Sequence, residues 1–437
     1  MSGPASGFRL EIVDLDHEGR GIGRLAGKAV FVAGALPGED VRVGRLKRHA
    51  RHDEAQLLEV LAPSADRTSP PCSAFPACGG CALQHLAPAA QLKAKARELA
   101  AQLARIGKVE PEEELAPLAG PTLGYRRRAR LGVRYLARER RAIVGFRARD
   151  TARLTPLETC PVLMPPADAL PGALARVIGE LSIAAHVPEA ELAVTEAVTC
   201  LVLRVLAAPS AADLARLRAF AAERALELWL RPADAASAAP IDPPGTPLSY
   251  RLPAFGLELG FGPMDFVQVN GPLNELLVER AVALLAAAPG EEVLDLFAGL
   301  GNFTLPLARG VAGVLGVDVE PGLIARGRAN ALANGIENVR FACADLASDV
   351  RGEPWAARRF QRVLLDPPRS GALAVLPLLG RLRPRRVVYI SCHPGTLARD
   401  AGILVHQHRF RLVAAGVIDM FPHTAHLESM AVFEPAR

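Results

Sequence analysis

The stretch that decides the fold is Glu292-Val-Leu-Asp-Leu-Phe-Ala-Gly-Leu-Gly-Asn-Phe303, an apolar run, then a glycine-rich turn, then a helical stretch. Four more apolar runs follow it at helix-length spacing: Val314-Leu-Gly-Val-Asp318, Val339-Arg-Phe-Ala-Cys-Ala-Asp345, Val363-Leu-Leu-Asp366 and Val387-Val-Tyr-Ile-Ser391. Continuous apolar strands alternating with helices predict βαβ units around a parallel sheet buried on both faces. In such sheets ligands bind outside the carboxyl ends of the strands, where a glycine turn lets backbone approach them closely.

Acids stand at three of those strand ends. Asp318 closes the second strand, 17 residues after Gly301, in position to accept hydrogen bonds from ribose hydroxyls. Asp345 closes the third, and Asp366-Pro-Pro-Arg369 closes the fourth. The spacing departs from the Gly-x-Gly-x-x-Gly dinucleotide pattern, and an acid at each of three successive strand ends points to an S-adenosylmethionine site.

The fifth strand runs into Ser391-Cys-His-Pro394, so Cys392 is expected at the same edge, and Asp419 to Glu428 brings a late carboxylate. A cysteine and a carboxylate beside a methyl donor suit a weakly nucleophilic carbon such as pyrimidine C5. Thiolate addition at C6 makes C5 nucleophilic, and a base must then remove the C5 proton; Cys392 is the expected nucleophile and Glu428 the base. Cys200 and Cys343 lie in apolar strand contexts and are expected in the core.

Toward the N-terminus the texture differs. Residues 8–60 hold short alternating strands separated by glycine-rich turns, Glu18 to Arg24 among them, which predicts a small β-barrel of the OB type that serves single-stranded nucleic acid. Residues 91–106 form an amphipathic helix that ends at Gly107, and 233–246 reads as a loop or linker. The expected division is a barrel over 1–62, an α+β central domain over 63–255 and a catalytic α/β domain over 256–437. Cys72-x5-Cys78-x2-Cys81, with Cys160-Pro161 as a fourth ligand, suits either a [4Fe–4S] cluster or tetrahedral zinc, and His85 keeps a Cys3His zinc site open.

Residues 121–160 carry eleven arginines against three acids, a net of +8 that leaves −3 for the rest of a chain whose total is +5. Concentrated guanidinium is the footprint of a polyanion partner. The first residues lack the pattern of a secretory signal, no apolar run approaches membrane-spanning length, and seven cysteines do not make a disulfide framework. A reducing cytoplasm and a monomer are the expectation.

Four motifs together, Phe266-Val-Gln268-Val-Asn270, Asp295 to Phe303, Asp366-Pro-Pro-Arg369 and Ser391-Cys-His-Pro394, resemble the RNA uracil-C5 methyltransferase family over nearly the whole chain. Within it the sequence is most similar to the iron–sulfur enzymes that act on 23S ribosomal RNA. The resemblance implies a TRAM-like barrel, a Rossmann-like class I methyltransferase domain, and S-adenosylmethionine and a [4Fe–4S] cluster as cofactors. It implies that Gln268, Phe297, Asn302, Asp318, Asp345 and Asp366 line the cofactor and target pocket and that Phe266 packs near a flipped uracil. It also implies cluster ligation by Cys72, Cys78, Cys81 and Cys160, and an RNA partner, with ribosomal RNA favoured over transfer RNA. Two positions depart from the family pattern: His393 stands where Asn or Asp is common, and Ala298 where Cys is frequent. An amino-group methyltransferase would need no nucleophile; an RNA-binding iron–sulfur protein with an inert transferase domain is the rival of another class.

Overall fold

The computed structural model describes residues 7–149, 151–234 and 237–436. Five strands, β1 (Phe8–Leu15), β2 (Gly21–Leu25), β3 (Lys28–Val32), β4 (Asp40–Arg48) and β5 (His52–Ala62), close into a barrel of order β1-β2-β3-β5-β4. Ile12, Val30, Val32, Val41 and Val43 fill it without exposure. Of the stretch expected as a glycine turn, the first part is one, with Gly19 left-handed at φ 78° and its N–H donating to Asp16 O at 3.0 Å, whereas Gly21 to Arg24 already belong to β2. A Cβ at Gly21 would sit 2.8 Å from the Ala35 carbonyl oxygen, and one at Gly23 would sit 2.6 Å from Leu10 Cγ. These glycines therefore mark close approach inside a strand rather than a bend.

Helix α1 (Pro88–Gln102) is the expected amphipathic helix and runs on through a π-turn to Gly107. Strand β6 (Glu113–Glu114) follows and pairs with a strand of the C-terminal sheet. Leu99 and Leu103 pack in one core with Leu397 and Ala401. Residues 88–118 thus pack on the catalytic sheet, although the change in sequence texture lies near 255.

The central sheet holds β7 (Arg128–Leu136), β8 (Arg141–Arg147), β9 (Leu154–Pro156), β10 (Glu189–Val194), β11 (Thr199–Val205), β12 (Leu226–Pro232) and β13 (Ala239–Pro240), in the order β13-β12-β11-β10-β7-β8-β9. Helix α2 (Leu170–Gly179) packs on it. Helix α3 (Ala211–Arg224) makes the crossover between parallel β11 and β12, and a Ser210–Asp213 capping box starts it. Hairpin β14 (Ser249–Leu252) and β15 (Leu257–Gly260) leads to the last unit.

That unit is built on α4 (Gly271–Leu285), β16 (Glu292–Leu296), α5 (Thr304–Ala308), β17 (Gly313–Asp318), α6 (Pro321–Ala333), β18 (Val339–Cys343), β19 (Arg362–Leu365), α7 (Leu376–Leu382), β20 (Arg386–Ser391), α8 (Pro394–His406), β21 (Phe410–Ile418) and β22 (Glu428–Pro435). The sheet order is β18-β17-β16-β19-β20-β22-β21-β6, parallel from β18 to β20. Alternate residues enter opposite cores: Val388 and Ile390 one, Val387 and Tyr389 the other. This is why the strands read as unbroken apolar runs. Strand order reverses between β16 and β19, which opens the crevice outside their carboxyl ends. Cys200 is buried as expected, but Cys343 is exposed, contrary to expectation, because it ends β18 at the open edge of the sheet.

Candidate active site

The glycine turn after β16 is tied to the end of β17. Phe297, half-buried in the left-handed region at φ 66°, and Ala298 both donate their N–H groups to the Val317 carbonyl, at 2.9 and 3.0 Å. Gly299, also left-handed, donates to Asp318 Oδ2 at 2.9 Å, and Glu320 N–H donates to Oδ1 at 3.0 Å. One backbone donor on each oxygen fixes the Asp318 carboxylate and leaves it free to accept more bonds.

Beneath the turn Asp295 is fully buried. Thr304 Oγ1 donates to its Oδ2 at 2.5 Å, while Oδ1 has no partner. Burial first, then the charges of Asp366 and Asp318, push this carboxyl up to about 7. Asp366 lies beyond the neighbouring strand end, where Gln268 Nε2 donates to its Oδ2 at 3.4 Å; burial pushes it also up to about 7.

The other expected cofactor residues divide. Both polar atoms of the Asn302 side chain are engaged by the protein: Tyr250 OH and Asn274 Nδ2 donate to its Oδ1 at 2.8 and 2.9 Å, and its Nδ2 donates to Asn274 at 2.9 Å. Asp345 is exposed and accepts locally from Ala347 N–H and the Ser348 hydroxyl, at 2.9 and 2.7 Å, bonds that lower its pKa. Phe266 stands out from the surface at 69% exposure, unusual for an unpartnered aromatic ring.

Cys392 follows β20, and its position is set by the next strand. The antiparallel β20–β22 ladder ends on the Ser391–Ser429 pair, and Cys392 and Glu428 are the next residues of the two chains, close enough for the Glu428 charge to act on the thiol. Cys392 is half-buried; burial, then Glu428 and Asp366, push its thiol up to about 11, against a downward pull from Arg369. Glu428 is 3% exposed, and burial with the field of Asp366 pushes it up to about 8. The two departures in the motifs are benign. His393 Nδ1 accepts Thr396 N–H at 3.2 Å and so caps α8, as an Asn or Asp would, and Ala298 is simply buried.

The segment carrying Glu428 is gripped by the cysteine-bearing part of the chain. Lys95 on α1 makes a buried 2.7 Å ion pair with Asp419. His423 N–H donates to Gln91 Oε1 at 2.8 Å, and Ala82 and Leu83 N–H groups donate to the His423 carbonyl at 2.8 and 2.9 Å. Tyr125 OH adds a 3.1 Å bond to Pro422 O.

Cys72, Cys78, Cys81 and Cys160 line one cavity of about 210 Å³, which Thr424 and His426 also wall. Burial pushes Cys81 up to about 11 and Cys160 to about 12, and neighbouring cysteines add to both shifts. Four converging thiols whose ionisation is this costly suit a cationic group that would take them as thiolates. A tetrahedral zinc would hold its sulfurs about 3.8 Å apart. Among the described residues the only ligand group drawn within 4.8 Å is His49, His52 and Glu54 on the barrel, where Lys47 and Arg20 already pair with Glu54. His85 does not line the cavity and packs instead against Phe75, so Cys3His loses its fourth ligand.

The arginine stretch is not all surface. Arg127 is buried, with Nε donating to Gln268 O at 2.8 Å and the guanidinium 4.5 Å over the Tyr250 ring. Arg128 donates to Pro263 O at 2.6 Å. These two join the central sheet to the catalytic unit, whereas Arg130, Arg134, Arg138, Arg140, Arg141, Arg147 and Arg153 remain exposed. Arg127, Tyr250, Asn274 and Asp295 are site-building residues the sequence reading did not single out; only the position of Asp295 inside the glycine-turn motif hinted at one of them.

A Rossmann-like sheet with a glycine turn and strand-end acids at its crevice has the architecture of a class I methyltransferase. Residues 261–435 match the family described as tRNA (Uracil-5-)-methyltransferase, and residues 6–44 match the TRAM domain. The 23S rRNA (uracil(1939)-C(5))-methyltransferase RlmD of Alkalilimnicola ehrlichii is 50% identical over 432 residues, 99% of this chain and 97% of its own. The protein of the same name from Stenotrophomonas maltophilia is 46% identical, covering 98% and 97%. The fold matches the crystal structure of Pyrococcus abyssi tRNA (uracil-54, C5)-methyltransferase in complex with S-adenosyl-L-homocysteine, with TM-score 0.74, 24% identity and coverage of 98% and 100%. The chain belongs to the RNA uracil-C5 methyltransferase family, alongside the 23S rRNA enzymes. No helix among the described residues is long and apolar enough to cross a membrane.

Proposed function

We propose that the chain methylates C5 of a uridine in 23S rRNA, the position its relatives' names number 1939, with S-adenosylmethionine as donor. The observation that supports this reading is the β20–β22 ladder, whose last pair, Ser391 and Ser429, adjoins Cys392 and Glu428 at the carboxyl edge of the parallel sheet. The uridine leaves its stack so that both faces of its C5–C6 bond are open. Cys392 sulfur bonds to C6, and the displaced C5=C6 electrons pass to C5 and the neighbouring carbonyl. The donor supplies an electrophilic methyl group, and C5 forms the new carbon–carbon bond to it. Glu428 as carboxylate takes the C5 proton; those electrons restore C5=C6 as the C6–sulfur bond breaks.

Around this chemistry Asp318 would hold the donor's ribose, with Phe297, Gln268, Asp345 and Asp366 about its remaining parts; Asn302 supports the pocket through Tyr250 and Asn274. Phe266, exposed and aromatic, would pack on the flipped base. Cys72, Cys78, Cys81 and Cys160 would hold a [4Fe–4S] cluster that ties the 72–81 loop to the segment at 160 and supplies no electron to the reaction. We read 1–62 as the RNA-binding barrel, 63–255 as the cluster-bearing unit, save 88–118, which pack on the catalytic sheet, and 256–437 as the catalytic unit of a cytoplasmic monomer.

The test is trapping. RNA carrying 5-fluorouridine at the target should give a stable covalent adduct through Cys392, with a 23S rRNA fragment and not with tRNA, because fluorine at C5 blocks the final proton removal. A Cys392→Ser protein that turns over undiminished overturns the reading, and an adduct formed on tRNA alone overturns the assignment to ribosomal RNA.

A further inference from the structure

At the end of the catalytic sheet away from the crevice lies a groove of about 620 Å³ lined by Arg358, Arg359, Arg381, Arg383 and Arg385. Strands β19 and β20 begin there, at Arg362 and Arg386, and end at the Asp366 and Cys392 side. Strands of four to six residues put roughly 13–20 Å of sheet between the groove and the site.

The charge is only partly neutralised within the protein. Arg358 pairs with Glu292 at 2.8 Å, and Glu291 is shared between Arg385 at 3.0 Å and Arg362 at 2.8 Å. Arg381 donates to the carbonyls of Arg351 and Ala356, at 3.3 and 2.8 Å, and meets no carboxylate. Arg359 and Arg383 are exposed and enter no ion pair or side-chain hydrogen bond among the described residues. With Arg362, six guanidiniums face two carboxylates, a local excess of four positive charges. Arg383 is also left-handed, at φ 45° after α7, where the backbone would favour glycine.

We propose that this groove is a second anchoring site for the phosphate backbone of the substrate RNA, remote from the target uridine. The inference rests on the RNA-methylating reading and extends it to the size of the substrate. Guanidinium forks match phosphate oxygens in pairs. The groove presents no exposed aromatic ring, its Phe360 being 3% exposed, so it lacks the stacking platform of a single-strand site and would hold backbone without reading bases. Those roughly 13–20 Å run through the sheet, whereas RNA must pass around the catalytic unit to occupy both ends, which a hairpin trimmed to the target loop does not do and a large folded fragment of ribosomal RNA does.

The experiment compares Arg359→Ala/Arg383→Asn with the parent on two RNAs, a hairpin of the target loop and a fragment of several helices around it. Asn suits the left-handed position. Each lost phosphate contact removes about 0.7–0.9 from the slope of log affinity against log salt, so the double variant should lose about 1.5 on the long RNA and bind it several-fold to tenfold more weakly near physiological salt. Turnover and KM on the hairpin should not change, and Arg359→Lys/Arg383→Lys should restore the slope. An unchanged salt slope on the long RNA overturns the proposal, as does an equal loss on both RNAs. Failure of the parent to methylate either RNA would instead overturn the functional reading beneath it.

Discussion

Replacing Glu428 with Gln should abolish turnover and stabilise the protein at once. The structure buries this side chain to 3% exposure, and burial with the field of Asp366 carries its pKa from the ordinary 4.5 to about 8. A raised acid binds its proton more tightly in the folded chain than in the unfolded one. Its contribution is therefore fully present below pH 4.5 and is lost as pH rises through 8. At about 1.36 kcal/mol for each tenfold, the span corresponds to an upper limit of roughly 4–5 kcal/mol, which side-chain relaxation and water entry will reduce. Gln cannot ionise and removes the penalty.

Thermal melts at pH 5.5 and 8.5 should show little difference between the two proteins at the lower pH and a clear gain for Glu428→Gln at the higher. Activity should go the other way. Loss of a general base costs about 10²–10⁴ in rate. Because only the last proton removal is blocked, methylated RNA should remain bonded to Cys392 and appear as a denaturant-resistant complex with ordinary uridine. In the parent, kcat should climb about tenfold between pH 7 and 9 as the carboxylate forms, where the last proton removal limits turnover, and the variant should lack that limb. A stability gain that does not depend on pH, or release of methylated RNA at the parent rate, would refute the burial argument and the base assignment respectively.

Three further outcomes follow from the site. Asp318→Ala removes the acceptor of Gly299 N–H and Glu320 N–H, and the dissociation constant for S-adenosylmethionine, read by calorimetry, should rise at least tenfold while RNA affinity holds. Lys95→Ala leaves Asp419 buried and unpaired, which should destabilise the protein by about 3–5 kcal/mol in denaturant melts; Lys95→Met/Asp419→Leu should recover most of that. Cys78→Ala should abolish any iron–sulfur absorbance and lower RNA affinity or stability more than the methyl-transfer rate of enzyme already bound to RNA; full stability and affinity without the cluster would exclude its structural role.

Much of the catalytic unit could be read from the chain because its information is local. An apolar run, a glycine turn and an acid sit next to one another, and parallel topology then carries Asp318, Asp366 and Cys392 to one edge. What stayed hidden depends on partners far away in sequence. Helix α1 was readable as a helix, but not as part of the catalytic unit, since Lys95 meets Asp419 across 324 residues. Arginines look alike in a composition count, yet Arg127 is a buried strut while Arg130 faces solvent. Gly21 and Gly23 look like a turn until the neighbouring side chains that exclude a Cβ are in place. Cys343 looks like core because its strand is apolar, and only the sheet order shows that strand to be an edge.

The same long-range contacts show what a cluster on the four cysteines, as proposed above, would give the reaction. Glu428 acts from the end of a segment, 419–427, with little regular structure of its own. A base must be held within about 0.5 Å of its productive position, and an irregular segment does not hold that alone. Here the Ala82 and Leu83 amides, directly after Cys81, bind the His423 carbonyl, and Thr424 and His426 wall the cysteine cavity. Closing four thiolates on a cluster would order the 72–83 loop, and that loop in turn fixes the strap that carries the base. His426 Nδ1 lies 3.2 Å from the guanidinium of Arg369, whose charge pulls the Cys392 thiol downward, so the same strap reaches both reacting groups. On the proposed reading, geometry and not electron transfer is what the cysteines would give the reaction.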